Sequence, residues 1–191
     1  MTLSFAQKPT LVGDRVLLRP VGAGDVDGLV ELLIDPESNR LTGTHAVFDP
    51  ESAADLEKAE RWYTSRDDHD DRLDLAIVER EGGTYVGEVV LKELDTDNRA
   101  CGFRISLVGP RAFGRGYGTE ATRLIVGHAF ETVGVNRIEL EVFDFNPRAR
   151  HVYEKVGFVH EGTKRQALRW DDEWVDTHMM AIVASDWRRQ S

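Results

Sequence analysis

The residues best suited to hold a ligand lie in mid-chain, in the run Phe113-Gly114-Arg115-Gly116-Tyr117-Gly118-Thr119-Glu120-Ala121. A strand-like segment precedes this run and a helix-like one follows it, so the glycines open a helix. The first N–H groups of a helix have no intrahelical acceptor, and the positive end of its dipole lies among them, so such a start attracts anions. Glycines let a phosphate come close to the backbone, and Arg115 adds charge. The same glycines would also serve a tight loop that binds nothing, and the spacing alone leaves both readings open.

A second ligand competes for the same turn. Gly116-Tyr117-Gly118-Thr119-Glu120-Ala121 has the G-x-G-x-x-A form of the dinucleotide fingerprint, with Glu139 or Glu141 about twenty residues on, where a ribose-binding acid would sit. That fingerprint needs a very tight strand-to-helix turn, whereas Ser106 to Arg115 is irregular sequence. It also needs several strand–helix units, and too few fit into the rest of this chain.

The next segment decides between them. Asn146-Pro147-Arg148-Ala149-Arg150-His151-Val152-Tyr153-Glu154-Lys155-Val156-Gly157-Phe158 has the pattern N-x-x-A-x-x-x-Y-E-K-x-G-F. Following a glycine-rich helix start, it closely resembles the GNAT superfamily of N-acetyltransferases. The opening Val16-Leu17-Leu18-Arg19-Pro20 and the closing Asp176-Thr177-His178-Met179-Met180 resemble the RimJ/RimL branch, which acetylates ribosomal-protein N-termini. The resemblance spans roughly residues 10 to 187. It implies acetyl-CoA as co-substrate and transfer of its acetyl group to a primary amine by direct attack in a ternary complex. It further implies a pyrophosphate site on the backbone amides of Phe113, Gly114, Arg115, Gly116, Tyr117, Gly118 and Thr119. The pantetheine arm would pair with the backbone of Ile105, Ser106 and Leu107, with Asn146 hydrogen-bonding it and Tyr153 near the thioester sulfur. Two departures stand out. Phe113 occupies a position where many members carry Gln or Arg, and the loop Val108 to Ala112 looks long, so Arg111 is a candidate to take over phosphate contact.

The residue types suit that chemistry. An attacking amine must be neutral, yet an α-amine titrates near about 8 and a lysine-type amine near about 10.4, so a base is useful. Glu141 matches the position, five before the asparagine, where some relatives carry a catalytic glutamate; Glu88, and Glu93 beside it, are alternatives acting through a water. A departing thiolate needs a proton, and a phenol such as Tyr153 can donate one. The competing class of function is a non-catalytic acyl-CoA-binding sensor or scaffold. Retention of Asn146, Tyr153 and the glycines together argues for activity.

These residues must be positioned by a mixed α/β chain. Arg15 to Arg19 reads as a strand, and Asp25 can cap a helix with Val26, Leu29, Val30 and Leu33 at helical spacing. Pro50 to Tyr63 reads as a second helix with Leu56, Ala59 and Tyr63 on one side. Leu73–Val78, Tyr85–Leu94 and Gly102–Val108 read as strands joined by turn signals at Glu81-Gly82-Gly83 and Asp95-Thr96-Asp97-Asn98. Ala121, Leu124, Ile125, His128 and Ala129 form a helical stripe that Gly134 can end. Alternation at Ile138, Leu140 and Val142 marks a strand, Pro147 to Val156 a helix, and Val159–Leu168 and Val175–Val183 two closing strands. The expected fold is a mixed-sheet α/β acyltransferase fold of about seven strands and four helices, with one parallel crossover whose strands splay.

Bulk properties set the outer bounds. At 191 residues, 41% apolar and 30% charged, the chain fits a single soluble domain over 1–191. No apolar stretch is long enough to cross a membrane, and Met1 to Gly13 lacks a signal-peptide layout, so a cytoplasmic location is expected. Cys101 is the only cysteine, and no Cys/His cluster has zinc spacing, so neither a disulfide nor a metal is expected. A net charge of −10 disfavours nucleic acid and favours a cationic amine acceptor. The run Asp67-Asp68-His69-Asp70-Asp71 reads as a solvated loop. A homodimer is expected from family habit alone.

Overall fold

The computed structural model describes residues 3–189. Eight strands form one sheet: β1 (Leu11–Val12), β2 (Val16–Pro20), β3 (Leu73–Glu79), β4 (Tyr85–Asp95), β5 (Ala100–Leu107), β6 (Arg137–Phe143), β7 (Val159–Trp170) and β8 (Glu173–Val183). Their spatial order is β1-β2-β3-β4-β5-β6-β8-β7. The helices are α1 (Val26–Ile34), α2 (Pro36–Thr42), α3 (Ala53–Thr64), α4 (Gly109–Ala112), α5 (Tyr117–His128), α6 (Pro147–Val156) and α7 (Ala184–Trp187). A π-helical turn, Ala129–Val133, extends α5 to Gly134, whose left-handed conformation ends it as anticipated. The chain carries α2, α4, α7 and β1 beyond the elements expected.

Side-chain alternation on β3 separates the two faces. Leu73, Leu75 and Ile77 join the larger core with Ile125 and Val126 of α5 and Tyr153 and Val156 of α6. Ala76 and Val78 point the other way, into a smaller core with Leu29 of α1 and with Ala59 and Tyr63 of α3. The sheet is therefore sandwiched, and β3 is buried along nearly its whole length. Leu56, expected on the inner side of α3, lies at its rim and is 37% exposed.

One feature of the sheet makes the site. Every neighbouring pair is antiparallel except β5 and β6. These two run parallel and pair only at Ala100–Arg137, Cys101–Ile138 and Gly102–Glu139. Beyond that point β5 stays paired with β4 and β6 with β8, while their facing edges part. A single parallel crossover in an otherwise antiparallel sheet is not a doubly wound dinucleotide fold. Cys101 sits buried at the hinge of this opening.

Candidate active site

The parting strands bound a cleft of about 610 Å³. Its walls are Gly102 to Leu107 on one side and Glu139 to Phe143 on the other, with Phe113, Gly114 and Gly116 to Thr119 at one end. Asn146, Arg148 and Tyr153 of α6 line it, and Ser38, Leu41 and Thr42 of α2 lie across it. The facing edges of β5 and β6 leave main-chain donors and acceptors that no strand uses. An extended, amide-bearing chain satisfies such an edge as an added strand would.

The glycine turn is built to meet an anion. Gly116 caps α5 in the left-handed region, at φ +84°, and offers no side chain to occupy the helix start. The helix's own bonding resumes with Glu120 N–H donating to the Gly116 carbonyl at 3.1 Å, so the N–H groups before it have no intrahelical acceptor. A side chain at Gly116 would fall 2.6 Å from Nη1 of Arg15, which donates to the Arg115 carbonyl at 3.0 Å. The turn is pinned from behind by Glu120, whose carboxylate accepts from the backbone N–H of Arg15 at 3.0 Å. Two expected charges are directed elsewhere. Arg115 pairs with Glu79 at 2.9 Å, and Arg111 forms a bidentate pair with Glu31 at 2.7 and 2.6 Å. The segment expected to be a long loop is the single turn α4, which aims Arg111 at α1 rather than at a phosphate.

α6 places Tyr153. Pro147 takes its first position, the Asn146 side chain accepts from Ala149 N–H at 3.1 Å, and Gly157, at φ +110°, ends it. Asn146 thus spends its carbonyl oxygen on capping. Its amide nitrogen donates to the Leu41 carbonyl at 3.5 Å. Tyr153 is buried against Phe103 (ring centroids 5.9 Å apart, edge-on) and Phe158, and its hydroxyl makes no hydrogen bond to another described residue. Burial pushes this phenol above its ordinary range, so it keeps its proton at physiological pH.

The three carboxylates differ sharply. Glu141 lines the cleft, half-exposed, and pairs with Lys164 of β7 at 2.5 Å. Glu93 is exposed at the far end, paired with Lys92. Glu88 is buried one strand behind the wall, in register with Ser106, and is not a lining residue. Tyr63 donates to Glu88 at 2.8 Å, and Tyr85 lies 2.9 Å from the Tyr63 hydroxyl. Burial raises the Glu88 pKa; Arg104 and the Tyr63 hydrogen bond oppose this. Ser106, on the wall itself, carries a buried hydroxyl with no partner. Ile105 and Leu107 line the wall, but the Leu107 carbonyl already accepts from Ser38 at 3.0 Å.

Residues not singled out by the sequence also shape the cleft. Ser38, Leu41 and Thr42 come from α2, a helix with almost no apolar signal. Trp62 stands apart from it, 48% exposed beneath the Arg66 guanidinium, and Trp170 stacks on His45 at 5.0 Å.

Comparison with known proteins accords with this geometry. Residues 15–159 match the family model described as an acetyltransferase (GNAT) domain. The spermidine N(1)-acetyltransferase of Vibrio cholerae is 28% identical over 64% of this chain and 70% of its own. The putative ribosomal N-acetyltransferase YdaF of Bacillus subtilis is 26% identical over 92% of this chain and 95% of its own. In fold, the crystal structure of spermidine N-acetyltransferase from Vibrio cholerae in complex with CoA and spermine matches with a TM-score of 0.77, over 92% of this chain and 99% of that one, at 22% identity. The mixed sheet opened at one parallel pair, with a glycine-capped helix at the opening, makes this an α/β protein with its ligand cleft at that opening. The chain belongs to the GNAT acetyltransferase family.

It is an acetyl-CoA-dependent N-acetyltransferase. The residues present fit that co-substrate: uncapped amides for phosphate, an open strand edge for the arm, and an unpartnered Ser106 hydroxyl on the wall.

Proposed function

We propose that the enzyme acetylates a cationic primary amine by direct attack in a ternary complex, with Tyr153 as general acid and Glu141 as proton acceptor. The observation that carries the reading is a protonated, unpartnered phenol and a half-exposed carboxylate lining the same cleft. Acetyl-CoA supplies an acyl group activated as a thioester. Gly114 to Thr119 hold its phosphates, and the open edge at Ile105 to Leu107 aligns its arm. The Asn146 amide nitrogen, which gives one hydrogen to the Leu41 carbonyl, has its second to offer that arm. Glu141 takes the proton from the incoming ammonium, and the neutral nitrogen bonds to the acyl carbon. Tyr153 protonates the sulfur as the carbon–sulfur bond breaks, and the second proton lost by the nitrogen restores the phenol. Attack by a bound acceptor needs no acyl-enzyme, because both partners share one cleft.

A second reading for the base is Glu88 through a water beside Ser106. It is favoured by burial, which moves a carboxyl toward the pH at which general bases work best.

The acceptor end carries Glu93, Glu139 and Glu141 against Lys92 and Arg104. With a net charge of −10, this favours a cation. The relatives named for spermidine acetylation support a polyamine-like small amine; the one named as a ribosomal acetyltransferase supports a protein N-terminus of the RimJ/RimL kind. We place the enzyme in the cytoplasm as a single domain that pairs as a homodimer. A panel of polyamines, N-terminal peptides, amino acids and anionic amines, read by free-thiol release, tests the acceptor. Turnover of cationic amines is expected; reaction confined to anionic ones would overturn the reading.

A further inference from the structure

Three cationic side chains line the cleft: Lys92, Arg104 and Arg148. The first two belong to β4 and β5, toward the end where β5 and β6 begin to part. Arg148, in the first turn of α6, stands over the ring of Phe113, its guanidinium carbon 3.7 Å from the centroid. Phe113 immediately precedes the glycine turn, so this guanidinium lies at the mouth of the amide cradle. The neighbouring Arg15, Arg111 and Arg115 do not line the cleft: Arg115 pairs with Glu79, Arg111 with Glu31 and the Tyr85 carbonyl, and Arg15 with the Arg115 carbonyl. A polyphosphate brought to the amides therefore meets one lining cation at that end, Arg148.

Arg148 also has a partner of its own. Its Nη2 lies 3.1 Å from Oε1 of Glu37, with both side chains nearly half exposed. An exposed pair of this kind contributes little, whereas a guanidinium on a phosphate forms strong charge-assisted, often bidentate bonds. The Phe113 ring holds the guanidinium in place while its partner changes. Glu37 belongs to α2, the helix that lies across the cleft.

We propose that Arg148 is the side chain that receives the phosphate end of acetyl-CoA, and that Glu37 is its internal competitor. Acetyl-CoA entry exchanges one ionic partner for another and frees the first turn of α2 from α6. The inference rests on acetyl-CoA occupying this cleft, and the test separates the two.

Calorimetric titration with CoA, 3′-dephospho-CoA and the pantetheine fragment reads it directly. Arg148→Gln is expected to weaken CoA binding about ten- to a hundredfold, to flatten its dependence on salt, and to leave pantetheine binding and the melting temperature of the free protein unchanged. A deficit that vanishes with 3′-dephospho-CoA assigns Arg148 to the 3′-phosphate; one that persists assigns it to the pyrophosphate. Arg148→Lys should fall between, keeping the charge but not the fork. Glu37→Gln should tighten CoA binding up to about fivefold, and only while Arg148 is present. Wild-type affinity in Arg148→Gln, or equal loss of pantetheine, would overturn the assignment to Arg148. No change in Glu37→Gln would overturn the competition. Failure of the unaltered protein to bind CoA would instead refute the occupancy on which both rest.

Discussion

Tyr153 lines the cleft, its hydroxyl has no hydrogen-bond partner among the described residues, and burial keeps it protonated. Tyr153→Phe should therefore bind acetyl-CoA normally while turnover drops about a hundredfold to ten-thousandfold, with no recovery at high pH. Steady-state rates across pH, beside a calorimetric Kd, check this. Glu141→Gln should also slow turnover at neutral pH, but its deficit should shrink as pH approaches the acceptor amine's own pKa. Tyr63→Phe decides between the two carboxylates. Arg104, Arg72, Asp74 and the Tyr63 hydroxyl face Glu88. Burial and Asp74 raise the Glu88 pKa while Arg104, the Tyr63 hydrogen bond and Arg72 lower it, so loss of the Tyr63 bond raises it further. If Glu88 is the base, the acidic limb of the rate profile moves to higher pH in Tyr63→Phe; with Glu141 as the base, the limb stays. The sequence brought these residues into view unevenly. Asn146 and Gly157 belong to a motif legible at once, yet here Asn146 caps α6 and Gly157 ends it, so much of the motif encodes a helix of defined length. Arg148 lay inside the same motif, and nothing in its spacing distinguished it from a solvated arginine.

At the scale of elements, the glycine turn is the most exposed to test. An added Cβ at Gly118 would meet Leu107 Cδ1 at 3.5 Å, ordinary contact, so the fold tolerates it. It would nonetheless stand at the cleft surface where a phosphate must approach. Gly118→Ala is expected to keep or slightly raise stability to urea and to weaken acetyl-CoA binding about tenfold. Unchanged affinity would show that the cradle lies elsewhere. The strands and α5 and α6 were readable because burial on one face leaves a period of two or of three to four. α2 was not readable on that basis: Pro36–Thr42 contains one large apolar residue, Leu41. Its signals were at its ends, with Asp35 accepting from Ser38 N–H at 2.9 Å, Pro36 at the first position and left-handed Gly43 after it. The splay between β5 and β6 left no mark in either strand's alternation, because each keeps its other neighbour.

For the whole molecule, a ligand that binds the folded state alone raises its stability by mass action, about 2.7 kcal/mol at a hundred times Kd. Acetyl-CoA should raise the melting temperature, and NAD should not; the reverse would revive the dinucleotide reading. Sedimentation at micromolar concentration is expected to give twice the 21.5 kDa chain mass, and a single-chain mass would refute the homodimer. Cys101 is buried where β5 and β6 last touch. Burial, and secondarily Glu139, pushes its thiol up to about 12. A folded molecule therefore presents almost no thiolate to an aromatic disulfide reagent, and the colour released during turnover comes from coenzyme A alone. Slow alkylation of the same atom becomes a clock for the separation of the two strands. Alkylation is expected to slow when acetyl-CoA fills the cleft; an unchanged rate would show that exposure of Cys101 does not depend on the parting of β5 and β6.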